Sequence, residues 1–195
     1  MKPILLTLQF LLLCILLSAQ DNEPYFLSNP CLAPDGQTVV FSFEGDLWKA
    51  NVNTGDASRL TAMEGYETSP RVSPDGKWIV FRKEGGSNTM GSGYTSKPGI
   101  YTMAADGSNE NFVTDRGDMP RFNNSSDRIF YQVGGGMNTN YASNKPDGRD
   151  ERIHLKSMYG GQFTVSPDEK WIAFQDLYQV YIASFPKTGR TIDLG

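Results

Sequence analysis

Any chemistry along this chain would have to begin at His154, the only histidine among 195 residues. Metal-assisted hydrolysis needs several placed ligands and an open coordination position. A single histidine cannot build a multi-histidine site. His154 lies in Glu151-Arg152-Ile153-His154-Leu155, a strand signal, and is read as a structural residue. Gly91-Ser92-Gly93 is only superficially like a nucleophile loop, since no Gly-x-Ser-x-Gly elbow and no phosphate-binding P-loop is present. Asp35, Asp75 and Asp168 follow prolines in short repeated phrases. Their spacing lacks the alternating oxygen ligands of a calcium loop, so turn chemistry is the reading. Cys14 falls in an apolar leader, which leaves Cys31 without an intrachain disulfide partner. Cys31 is read as a small buried hydrophobe. No catalytic, cofactor-binding or metal residue is therefore assigned in this chain.

The repeated phrases define the elements. Four segments run Ala33-Pro34-Asp35-Gly36 to Phe41, Ser73-Pro74-Asp75-Gly76 to Phe81, Asn123-Asn124-Ser125-Ser126 to Tyr131, and Ser166-Pro167-Asp168-Glu169 to Phe174. Their closing aromatics lie 40, 50 and 43 residues apart, a period that marks an array of supersecondary units. In each unit a short strand precedes the turn. Proline presets φ, aspartate bonds the backbone ahead and glycine takes φ > 0. A β-branched and aromatic strand follows, as in Lys77-Trp78-Ile79-Val80-Phe81. Third strands are read at Leu47–Val52, Gly99–Met103 and Gln179–Ala183. Second turns such as Asp106-Gly107-Ser108 and Asp147-Gly148-Arg149 lead to a fourth strand. Four short strands per unit of about 40 to 45 residues predict an all-β fold, a β-propeller. In blade three Asn124-Ser125-Ser126 replaces Pro-Asp-Gly, so its turn is weakly specified.

Length and composition bound the array. Lys2, the apolar run Ile4 to Leu17 and Ser18-Ala19-Gln20 read as a secretory leader cut after Ala19. That run is shorter than the roughly 20 residues a span needs, so no membrane association is expected after cleavage. The limits are 1–19 for the leader and 20–195 for the repeats. Blade one takes 28–61, blade two 68–114, blade three 118–157 and blade four 161–195. Pro24-Tyr25-Phe26-Leu27 is left over, and the array is expected to be open or partial. With 18 basic against 22 acidic residues and no basic stripe, nucleic acid is not an expected partner.

Two glycine-rich insertions, Glu84–Pro98 in blade two and Gly134–Lys145 in blade three, fall at the same blade position. They should emerge on one propeller face, where repeat insertions often form the binding side. Met90, Tyr94, Met137 and Tyr141 are the candidate rim residues. The alternative reading is two solvated loops, because dense glycine serves flexibility as well as close approach.

The phrase Ser-Pro-Asp-Gly-Lys-Trp-Ile-Val-Phe, followed by an Ile-Tyr strand, an Asp-Gly turn and a Leu-Thr ending, resembles the WD40-like repeats of TolB and the tricorn protease propellers. The resemblance covers Pro24 to Gly195 and is specific for fold, weak for activity. Pro98–Gly107, Pro120-Arg121-Phe122 with Ser126–Phe130, and Phe185–Asp193 look like the N-terminal propeller of large secreted bacterial amidohydrolases. That likeness implies a non-catalytic accessory domain, secreted or periplasmic, beside a metal-dependent barrel. None of the barrel's ligands can be carried over. The alternatives are a free-standing TolB-like periplasmic propeller that docks protein segments on one face, and the propeller part of a tricorn-like protease. The expected partner is a protein or peptide, or a downstream hydrolase domain.

Overall fold

The computed structural model describes residues 27–62, 64–85, 97–186 and 188–194. The leader residues 1–19 and the leftover Pro24-Tyr25-Phe26 lie outside them. All the regular structure described is β, arranged as the four blades of a propeller. Among the described residues no helix is long and apolar enough to cross a membrane.

Blade one is the meander β1 (Ser28–Leu32), β2 (Thr38–Phe43), β3 (Asp46–Asn51) and β4 (Ala57–Arg59). Blade two repeats it with β5 (Tyr66–Val72), β6 (Trp78–Glu84), β7 (Gly99–Ala104) and β8 (Asn111–Thr114). Blade three has β9 (Asp118–Phe122), β10 (Ile129–Val133), β11 (Thr139–Asn144) and β12 (Arg152–Ser157). Blade four has three strands in its sheet, β13 (Gly160–Val165), β14 (Trp171–Asp176) and β15 (Gln179–Ser184). The sequence reading put a fourth strand on blade four. Instead β16 (Ile192–Asp193) crosses back and pairs parallel with β12, Leu155 opposite Ile192. Thr191 fixes that return by donating its hydroxyl to the Ile153 carbonyl at 2.7 Å.

The second strand of each blade explains why the blades stack. Successive side chains on a strand point to opposite faces, and in blades two and three both faces meet a neighbour. Ile79 and Phe81 join Val40, Leu47, Tyr101 and Met103 between blades one and two. Val80 turns the other way and packs with Ile100, Ile129 and Tyr131 between blades two and three. Phe130 faces Tyr141, Leu155, Phe163, Ile172 and Phe174 between blades three and four. The outward face of blade four has no such cover: Trp171, Val180 and Ile182 are exposed.

Local turn chemistry is what the phrases require. Asp35 accepts from the Gln37 and Thr38 backbone N–H groups, and Ser73 and Ser166 donate to Asp75 and Asp168 at 2.6 Å. These bonds hold the aspartates below the ordinary carboxylate range. The blade-three turn is as firmly closed as the others, which corrects the sequence expectation. Asn123 replaces the serine and its Oδ1 accepts from both Asp127 and Arg128 N–H groups, while Ser126 takes φ +59°. The second turns are also pinned between blades. Gly148, at φ +80°, would place a Cβ 2.7 Å from the Val113 carbonyl of blade two. Gly148→Ala is expected to lower stability by about 1–3 kcal/mol, to be measured in a urea titration. A change under about 0.3 kcal/mol would show that the turn relaxes freely.

The segment Gly134–Lys145 is not an insertion. Its second half is the strand β11, paired with β10 from Ile129 opposite Asn144 to Val133 opposite Asn140. Thr139, Ser143 and Asn144 give this strand a polar composition. All three are buried. Ser143 meets Arg128 and His154 while Asn144 meets Tyr131 and the Gly148 carbonyl. Only Gly134–Asn138 remains as a loop.

Candidate binding face

An antiparallel meander sends alternate connections to opposite ends of the blade. The Pro-Asp-Gly turns and the Asp-Gly turns share one end. The links between second and third strands share the other, together with the links from each blade to the next. Exposed apolar residues gather at this second end: Tyr66, Met119, Met137, Met158, Tyr159, Leu177 and Tyr178. Met137 is 71% exposed and Tyr178, in the turn between β14 and β15, is 96% exposed. Large apolar side chains grouped this way mark a contact surface more than isolated ones do.

Of the four sequence-derived rim residues, Met90 and Tyr94 lie outside the described residues, and Met137 stands free on this end. Tyr141 does not join the rim. It is 3% exposed, stacked on Phe130 at 5.5 Å and on Phe163 at 5.1 Å between ring centres. It is a β11 residue facing blade four, and its burial holds the hydroxyl above its ordinary pKa. Tyr178 was missed, although Leu177-Tyr178 sits at the same link as the two glycine-rich segments.

The inner strands carry a second feature that the sequence reading passed over. Each has a one-residue bulge at the same place, with Asn29, Ser69, Met119 and Gln162 at φ near +50°. Register shifts follow in all four pairings. Pro30, Pro70 and Pro120 come next, where a bulge tolerates a residue with no N–H to donate. The signal was the recurrence of an X-Pro step eight or nine residues before the second strand of blades one, two and three. The residue after the proline then points at the following blade. Cys31, half-buried rather than buried, accepts the Val72 N–H on its Sγ at 3.4 Å. Arg121 reaches Thr164 and Phe163 of blade four. Arg71, Met119, Arg121, Gln132, Tyr141 and Gln162 line a cavity of about 200 Å³ that opens beside this end of the propeller.

His154 sits away from that face, packed against Phe130 and Phe185, with Nε2 2.7 Å from the Ser143 hydroxyl. Burial, and then the Arg128 and Arg152 charges, push its pKa down from 6.5 to about 4. The unfolded chain therefore takes up a proton below pH 6.5 that the folded chain refuses until about pH 4. This contribution to stability is complete above the unfolded value and is lost as pH falls through that window. Between pH 7 and pH 5 the loss should be about 2 kcal/mol. His154→Gln should flatten the slope of unfolding free energy over that range, and an unchanged slope would place the pH dependence elsewhere.

No family model matches the chain. Curated proteins do. The chain is 29% identical over 141 residues to the uncharacterized protein Atu1656 of Agrobacterium fabrum, which covers 66% of this chain and 42% of that protein. It is 29% identical over 93 residues to the Tol-Pal system protein TolB of Francisella tularensis subsp. tularensis, covering 46% and 19%. Among solved structures, TolB from Acinetobacter baumannii superposes with a TM-score of 0.63 at 17% identity, over 86% of this chain and 45% of that one. Each match spans less than half of the relative's length. The fold is thus that of an all-β propeller. Within that class it is a TolB-like β-propeller. These likenesses back the TolB-like propeller reading over the amidohydrolase accessory domain, for which they give no support.

Proposed function

We propose that the chain is a non-catalytic, TolB-like protein-binding propeller of a secreted or periplasmic compartment. Its hairpin end, the one that carries the links between second and third strands, holds a protein segment. The observation that carries this reading is the gathering of exposed methionine and tyrosine side chains, above all Met137 and Tyr178, at that one end. The likeness to TolB supports it, as does the leader-like composition of residues 1–19. Met90 and Tyr94 join the rim in this proposal by their position in the link between β6 and β7. No cofactor is assigned.

The test is retention of periplasmic proteins by the immobilised mature chain, compared with a Met137→Ala, Tyr178→Ala double variant. An aromatic anchor is worth about 2 kcal/mol in an interface, so retention should fall about thirtyfold while the melting temperature stays put. Undiminished retention would overturn the assignment of this end as the binding face.

A further inference from the structure

We infer that Arg71 and Arg121 form a carboxylate-binding subsite at the axial mouth of the propeller, and that the docked segment is acidic. The inference rests on the protein-binding reading above and names its chemistry.

The two arginines occupy the same position in successive blades, the second residue after the bulge, opposite Val80 and Phe130. Six arginines elsewhere in the blades pair with acids: Arg59 with Asp46, Arg82 with Asp118, Arg116 with Glu151, Arg128 and Arg152 with Asp150, and Arg149 with Asp147. Among the described residues the two axial arginines have no such partner. Arg121 donates to neutral oxygens only. Nε and Nη2 reach the Tyr141 hydroxyl at 3.1 and 2.7 Å, Nη1 reaches the Thr164 hydroxyl at 3.0 Å, and Nη2 also meets the Phe163 carbonyl. Arg71 donates to the Pro70 carbonyl at 2.7 Å. The chain carries a net charge of -4, so acids are not scarce; they are placed elsewhere.

The two side chains have different parts. A guanidinium carries five N–H donors. Arg121 has nearly exhausted its own and serves as a fixed charge. Arg71 keeps most of its fork free, the geometry that grips a carboxylate in two parallel bonds. Gln132 and Gln162 add amide groups to the same cavity. At about 200 Å³ the cavity is below the usual range for a whole small-molecule ligand, about 300–1,000 Å³. It suits one acidic side chain of a longer segment. Met119, which is exposed, links the cavity to the apolar rim.

The test uses acetylated, amidated tetraglutamate carrying a fluorophore, with tetraglutamine as the control, titrated against the mature chain by fluorescence anisotropy. Saturable binding of tetraglutamate alone is expected. Arg71→Gln should weaken it at least about tenfold, the worth of a charged hydrogen-bond pair, and Arg71→Lys should restore only part. Arg121→Gln also cuts the ties to blade four, so its melting temperature is read alongside; Arg71 has no such tie. Equal binding of tetraglutamine, or tetraglutamate binding unchanged by Arg71→Gln, would overturn the subsite. Displacement of tetraglutamate by equimolar inorganic phosphate would overturn the acidic-segment assignment in favour of a free-anion site. Protein retention that depends on Met137 and Tyr178 but not on Arg71 would sink this inference and leave the binding face standing. Retention indifferent to all three would remove the binding face itself.

Discussion

Arg128→Ala should destabilise the protein by about 3 kcal/mol, the upper end of what losing hydrogen bonds from a charged group costs. Arg128 stands where blades two and four have the exposed Trp78 and Trp171, yet it is buried. Its Nε bonds the Ser143 hydroxyl at 3.0 Å, and Nη1 bonds Asp150 Oδ2 at 2.9 Å. Nη2 bonds the Ser143 and Asp150 carbonyls at 3.2 and 2.7 Å. Removing it leaves the Ser143 hydroxyl with His154 alone and takes a donor from two backbone carbonyls. Asp150 is exposed and keeps Arg152 at 2.6 Å, so its charge adds little to the loss. Arg128→Met keeps the apolar stem and should recover part of the loss. Urea denaturation of both variants measures this. A loss below about 1 kcal/mol for Arg128→Ala would mean that water satisfies the site.

The same network shows where sequence reading fails. The repeat phrase was legible because each of its residues obeys a local rule: a fixed φ at proline, a side-chain acceptor at aspartate, alternation in the strand that follows. From it came the all-β propeller and the shared end of the strand-two to strand-three links. The strand β11 was not legible. Three of its five buried positions, Thr139, Ser143 and Asn144, are polar, and the partners of the last two are Arg128 in the turn before β10 and His154 and Tyr131 on neighbouring strands. Burial of Tyr141 follows from that strand, so its placement on the rim failed with it. The pairing of β16 with β12 depends on a chain return that no short pattern encodes. At the axis, the prolines were visible, but the bulge that turns Arg71 and Arg121 toward the next blade is a property of register.

The last blade is where these errors and the stability of the array meet. Phe130→Ala should cost about 3–5 kcal/mol, the range for deleting a buried phenyl ring from a packed core. Phe130 is 2% exposed and touches Tyr141 at 5.5 Å, His154 at 5.2 Å and Phe185 at 5.7 Å between ring centres. It therefore joins blade three to blade four and to the segment that leads to β16. In a repeat array each unit is held by its neighbours, so a weakened junction acts locally before it acts globally. Blade four has a three-stranded sheet and an uncovered outer face, which leaves it dependent on this junction. Hydrogen exchange should show β13, β14 and β15 losing protection in Phe130→Ala while β6, two blades away, keeps most of its own. Uniform loss across all four blades would show instead that the array unfolds as one cooperative body. In that case the junction's loss would be shared by the hairpin end and the axial arginines alike.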